Sequence, residues 1–143
     1  MTQEDKELLL KDLCARLTYE VIVDYSYNAY DLHKGNYVKH AKHGTKCILS
    51  CSLLDVFISP RQDEAGEYIK PYLFPLSSMT EEQKKEYNIL CDFVPTYHHE
   101  IGDIVEDAYD NWRSIDYLNA HHFDYRGLIE KGLAIDATNL NVY

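Results

Sequence analysis

A chain of 143 residues, 45% apolar counting tyrosine, 27% charged and with a formal charge of −10, is sized for one domain that buries roughly two-thirds of its unfolded surface without metal or disulfide staples. No run approaches the roughly 18 to 20 consecutive apolar residues of a membrane span and no basic apolar leader precedes the first charged residues, so the expectation is a cytoplasmic protein with no membrane partner. The charge is uneven: residues 1–60 hold eight acidic and seven basic groups, residues 61–143 sixteen acidic and seven basic, which sets the second half against nucleic acid and points it toward a basic partner.

The first element predicted is a helix over residues 2–17. Thr2 caps with Asp5 at the third position, and Leu9, Leu10, Leu13, Cys14 and Leu17 recur on one face, with Glu4, Lys6, Glu7, Lys11 and Asp12 on the other. Residues 19–27 then change to period two, with Tyr19, Val21, Val23, Tyr25 and Tyr27 on one side of a strand. Gly35-Asn36 and His43-Gly44 read as turns, and residues 45–51 and 53–58 as further strands, the latter stopped by Pro60. Residues 67–70 suggest a short edge strand, and residues 71–79, bracketed by Pro71 and Pro75, an extended connector.

Thr80 and Gln83 form a capping box before a helix that runs to about Cys91, with Tyr87, Leu90 and Cys91 facing inward. Residues 100–116 read as an acidic amphipathic helix whose apolar face includes Ile101, Ile104, Val105, Ala108, Tyr109 and Trp112. Ser114 is placed as the cap of a further short turn, and Asp124 as the cap of a last helix over residues 125–131, closed by Gly132. The class expected is α+β: an N-terminal helix, a small antiparallel sheet able to curl into a barrel, and C-terminal helices. Cys14, Cys47, Cys51 and Cys91 read as reduced, mostly buried thiols, with Cys47 and Cys51 on one strand. The 13 tyrosines against one tryptophan and four phenylalanines suit either half-exposed core walls or a binding surface.

The blocks P-L-S-S-M-T-E-E-Q-K-K-E-Y at residues 75–87 and Y-L-N-A-H-H-F-D-Y-R-G-L-I-E-K-G-L-A-I-D at residues 117–136, with L-L-L-K-D-L-C-A-R-L at 8–17 and I-K-P-Y-L-F-P-L at 69–76, resemble a family of short uncharacterised proteins of Bacteroides-type bacteria and their phages or prophages. The resemblance implies an accessory protein of a phage or mobile element that acts on a host partner. It brings no binding residues with it.

Three constellations remain as candidate sites. The first is an acidic helix face of Asp103, Glu106, Asp107 and Asp110, spaced three, four or seven apart, with Tyr109 as an aromatic anchor; it favours a non-enzymatic protein that binds a basic or nucleic-acid-binding protein. The second is the segment 33–46, which holds four lysines, three histidines and no acidic residue: Lys34, Lys39, Lys42 and Lys46 suit phosphates, and Tyr37 suits stacking on an unpaired base. Direct nucleic-acid contact ranks second because the rest of the chain is acidic and the segment lacks arginine. The third is a small metal-dependent enzyme built on His98 or His99, His121 or His122, and Asp124, although their spacing matches no common zinc motif. No cofactor is expected, and the pattern leaves the oligomeric state open.

Overall fold

Thr2 and Asp5 open helix α1 (Gln3–Arg16) with a reciprocal box, the Asp5 N–H donating to Thr2 Oγ1 at 3.1 Å and the Thr2 N–H to Asp5 Oδ2 at 3.2 Å. The computed structural model describes residues 1–59, 64–91, 96–98, 103–105 and 108–143. Leu9 and Leu13 of α1 are buried in the main core with Val21, Val23, Leu54 and Leu73. Asp12, expected on the outer charged face, is instead fully buried with Arg16. The helical wheel failed there because a carboxylate and a guanidinium four apart travel into the interior together.

Strands β1 (Ile22–Asp31) and β2 (Asn36–Ile48) form an antiparallel hairpin. Its tip turns at Gly35, whose φ of +66° favours glycine, and the Gly35 N–H donates to the Asp31 carbonyl at 2.8 Å. The period-two phase expected of β1 holds in part: Val23 is buried and Tyr25 and Tyr27 pack half-buried on the main core, but Tyr19 lies in a 3-10 turn before the strand, and Ser26 and Asn28 of the opposite phase are buried as well. His43-Gly44, however, is no turn: β2 runs straight through it and absorbs two register shifts opposite Asp24 and Asn28. Both shifts are closed by β1 side chains. Asp24 Oδ1 accepts from the Lys46 N–H at 2.9 Å and Asn28 Oδ1 from the His40 N–H at 3.0 Å, and both β2 residues sit at positive φ.

Gly44 is required by closeness rather than by backbone conformation. A Cβ there would stand 2.6 Å from Tyr25 Cε1 and 2.8 Å from Cys47 Sγ. Gly44→Ala is expected to cost about 1 to 3 kcal/mol by displacing the Tyr25 ring, read as a lower urea midpoint at unchanged slope. A midpoint equal to wild type would show that the ring moves aside freely.

Residues 53–58 are helical rather than extended, within α2 (Cys51–Ile58). Ser50 Oγ accepts from the Leu53 N–H at 3.2 Å, and Leu54 and Phe57, three apart, are the buried pair. A six-residue, mostly apolar run carries no period that separates strand from helix, so the cap decides. Cys51 therefore begins a helix and shares no strand with Cys47; Cys14, Cys51 and Cys91 are free and exposed, and Cys47 is part-buried. The expectation of mostly buried thiols was wrong.

The supposed edge strand and connector are one strand, β3 (Tyr68–Pro75), and it is central. It pairs antiparallel with β1 from Val23↔Pro71 to Ser26↔Tyr68. Pro71 is tolerated because it ends that ladder before the next begins at Tyr72. After a 3-10 turn at Leu76–Ser78, the Gln83 N–H donates to Thr80 Oγ1 at 3.1 Å and the Thr80 N–H to Gln83 Oε1 at 2.9 Å, opening α3 (Glu81–Cys91) as the capping box predicted. Tyr87 and Leu90 are part-buried on it, but Cys91 is exposed. Thr80→Ala should cost about 0.5 to 2 kcal/mol, measured by thermal or urea unfolding, with Thr80→Ser restoring most of it.

Strands β4 (Thr96–His98) and β5 (Asp103–Val105) pair antiparallel, and α4 (Ala108–Ala120) follows. The acidic helix expected from residue 100 thus starts eight residues late, and the β-branched Thr96, Ile104 and Val105 lie in strands that suit them. Ser114 is buried inside α4 rather than capping a new turn. The strands β6 (Phe123–Asp124) and β7 (Ile135–Asp136) both run parallel to β3. Because the Phe74 N–H donates to the His122 carbonyl whereas the Leu73 carbonyl accepts from the Ala137 N–H, they take opposite edges of β3. The fold is α+β with a mixed sheet, not a purely antiparallel one, and among the described residues it does not close into a barrel.

No helix forms over residues 125–131. Asp124 does bind the N–H groups of Leu128 and Ile129, at 2.9 and 2.8 Å, but Gly127 at φ +70° breaks the run and Gly132 at φ +68° turns it back. The capping chemistry was read correctly and the element it caps is a turn.

Candidate functional site

The hairpin outruns the sheet. β1 bonds β3 only over Val23–Ser26, yet pairs with β2 as far as Asp31↔Asn36, so residues 27–31 and 36–42 continue as a two-stranded ribbon. Lys34, Lys39, Lys42 and Lys46 are all exposed along this hairpin. Tyr37 is part-buried edge-on against Tyr30, ring centroids 5.4 Å apart at 73°, while Tyr30 and Leu32 remain 51% and 86% exposed at the tip.

The lysines fringe the strand rather than fill one face. Lys42 pairs with Tyr27 on one side and His43 with Ser26 on the other, since directly opposed residues share a face. His40 is exposed but tethered to the neighbouring strand, its Nδ1 2.7 Å from Ser26 Oγ. The hairpin's carboxylates are occupied by the fold: Asp24 Oδ1, at the base, accepts from the Tyr72 hydroxyl as well as from Lys46 N–H, and Asp31 Oδ1, near the tip, accepts from the N–H groups of His33 and Lys34. Burial and the Asp24 bond together push the Tyr72 phenol up to about 12. Lys34 Nζ stays 3.8 Å from Asp31, a loose exposed pair worth at most about 1 kcal/mol.

The acidic constellation is not assembled on one helix. Asp103 lies on β5, as the Cα partner of His98 on β4; Tyr109 and Asp110 lie on α4; Glu106 and Asp107 fall outside the described residues. Spacings of three, four and seven share a face only if one helix carries them all, and Asp103 lies on a strand.

In the histidine constellation His98 lies on β4, and His99 lies outside the described residues. His121 Nδ1 sits 2.9 Å from the Tyr117 carbonyl, and Asp124 is committed to two backbone donors. Among the described residues no three His, Cys, Asp or Glu side chains converge on a metal position. His122 instead stacks on Tyr143, centroids 3.9 Å apart at 9°, and burial, helped by the Arg16 charge, pushes its imidazole down to about 4. Tyr143 itself ties the sheet: its hydroxyl donates to the Tyr72 carbonyl at 2.7 Å and accepts from the Ile22 N–H at 3.2 Å.

Sequence reasoning missed the buried charge cluster behind these histidines. Arg16 Nε and Nη2 reach Asp12 at 2.7 and 3.2 Å, Nη2 also donates to the Phe123 carbonyl at 2.7 Å, and Arg126 Nε lies 3.2 Å from Asp12 Oδ1. The Tyr125 ring faces both guanidiniums, at 5.2 and 4.8 Å. The one local signal was the Asp12–Arg16 spacing. Among the described residues no helix is long and apolar enough to cross a membrane. Comparison with family models, curated proteins and solved structures found no match to this chain.

Proposed function

We propose that the chain is a non-enzymatic accessory protein that binds a polyanion, nucleic acid in the first instance, through the basic ribbon. The observation that carries this reading is the projection of residues 33–42 of the acid-free segment beyond the sheet, with Lys34, Lys39 and Lys42 exposed on it and Lys46 exposed at its base. A two-stranded ribbon is narrow enough for a nucleic-acid groove, and lysines at its fringe reach phosphates. Without arginine in the segment the binding is to backbone rather than to base edges. Lysines on an edge strand also discourage edge-to-edge pairing, and only a binding measurement separates the two roles.

Fluorescence anisotropy with labelled single-stranded and duplex oligonucleotides, between about 50 and 200 mM salt, provides that measurement. Lys39→Glu with Lys42→Glu is expected to weaken binding at least about tenfold and to make the salt dependence shallower by about 1.4 to 2 in log–log slope. Wild-type affinity and slope in the double variant would remove the ribbon as the site.

A basic protein partner is the second reading, supported by the sixteen acidic against seven basic groups of residues 61–143 and no longer by a single acidic helix. An accessory role in a phage or mobile element, which the family resemblance suggests, is compatible with either partner.

A further inference from the structure

A cleft of about 460 Å³ opens where β3, the first turn of α3, the end of α4 and the C-terminal segment meet. Its walls include Phe74, Ala120, His121, Phe123 and Tyr143, and its polar atoms come from Ser78, Gln83, His122 and Thr138. Among the described residues no charged side chain lines it, in a chain with 24 acidic and 14 basic residues. A phosphate or carboxylate would be desolvated there with no ion pair in return, so the site selects against charge. A space of this size, apolar and aromatic with a few polar atoms, matches a small-molecule pocket.

Two polar groups in it are unused by the fold. Gln83 Oε1 accepts from the Thr80 N–H, and the Gln83 amide NH2 has no partner. His122 makes no hydrogen bond through its ring, and its Nδ1 is buried. A proton on that buried Nδ1 would be a donor with no acceptor. The neutral imidazole therefore keeps its lone pair on Nδ1 and its proton on Nε2, so the ring edge left to line the cleft carries an N–H donor.

We propose that this cleft binds a neutral, planar, carbonyl-bearing heterocycle of the nucleobase class, stacked against the aromatic walls and accepting hydrogen bonds from His122 Nε2–H and the Gln83 amide. The site is separate from the ribbon. The ribbon recognises charge and the cleft excludes it, so a nucleoside without phosphate addresses the cleft alone.

The test is a titration of the isotopically labelled protein with inosine, and with ribose as the control, followed by NMR. Inosine is expected to shift the resonances of Gln83, Ala120 and Phe123 saturably with a Kd of about 1 mM or tighter, and ribose to leave them in place. Ala120 is exposed at the end of α4, so Ala120→Trp fills the cleft without disturbing the core and should abolish the shifts. His122→Phe keeps a ring to stack and removes the donor, and should weaken inosine about tenfold. Absence of saturable shifts up to about 10 mM inosine, or unchanged binding by the Ala120→Trp protein, overturns the site; equal affinity in His122→Phe overturns the assignment of the donor.

Discussion

Asp12→Ala is expected to destabilise the protein by about 3 to 5 kcal/mol, the range for removing one partner of a buried ion pair. Asp12 is fully buried and is the carboxylate that Arg16 bonds at 2.7 Å, with Arg126 Nε at 3.2 Å. The latter contact is an ion pair without a directed hydrogen bond, because Arg126 Nε has no bonding partner. Arg16 Nη1 is likewise unpartnered, so the cluster has no spare acceptor to redistribute. Loss of the carboxylate leaves two guanidiniums beside each other, held only by the Phe123 carbonyl and the Tyr125 ring and hydroxyl. Cation–π contacts of about 0.5 to 2 kcal/mol each soften that outcome without cancelling it. Asp12→Asn, which keeps the shape and removes the charge, should lose nearly as much. Urea denaturation followed by circular dichroism reads both, and a loss under about 1 kcal/mol for Asp12→Ala would mean that water reaches the arginines freely.

That cluster also marks where the sequence stopped being readable. The two capping boxes were legible because every atom they need lies within four residues: Thr2 with Asp5, Thr80 with Gln83. The phase of β1 was legible as far as Val23, because alternation is a property of one strand, and was lost beyond it, where the register shifts at Asp24 and Asn28 accompany buried Ser26 and Asn28. Asp12 was misplaced because the carbonyl that receives its partner Arg16 lies 107 residues away, and nothing in residues 8–17 announces it. The same distance effect hid β3: its centrality depends on β1, β6 and β7 all arriving, while its own residues include two prolines that read locally as a connector. The acidic run failed for the opposite reason, since its local periodicity fitted a helix that pairing of residues 96–98 with 103–105 displaced. At the candidate ribbon the composition was plain from the chain, and the projection beyond the sheet was not, because it follows from where β3 stops pairing.

Stability is expected to fall as pH drops from about 6.5 to about 4, and His122 is the group responsible for the upper part of that window. Burial, then the Arg16 charge, then His121 hold its imidazole down to about 4, against 6.5 for a free ring. The folded protein therefore resists protonation that the unfolded chain accepts, and the unfolded state binds the extra proton throughout this interval. Stability is full above about 6.5, declines with falling pH, and the penalty is complete below about 4. The gap corresponds to about 3 kcal/mol for a sealed ring, and part-exposure of His122 brings it to about 2. Carboxylates begin to titrate in the lower part of the same interval, so the informative quantity is a difference. His122→Phe preserves the face that stacks on Tyr143 and deletes the titration; between about pH 6.5 and 5 its unfolding free energy should stay flat while that of wild type declines. Parallel curves for the two proteins would show that His122 is protonated in the folded state as readily as in the unfolded one, and that Arg16 does not reach it electrostatically.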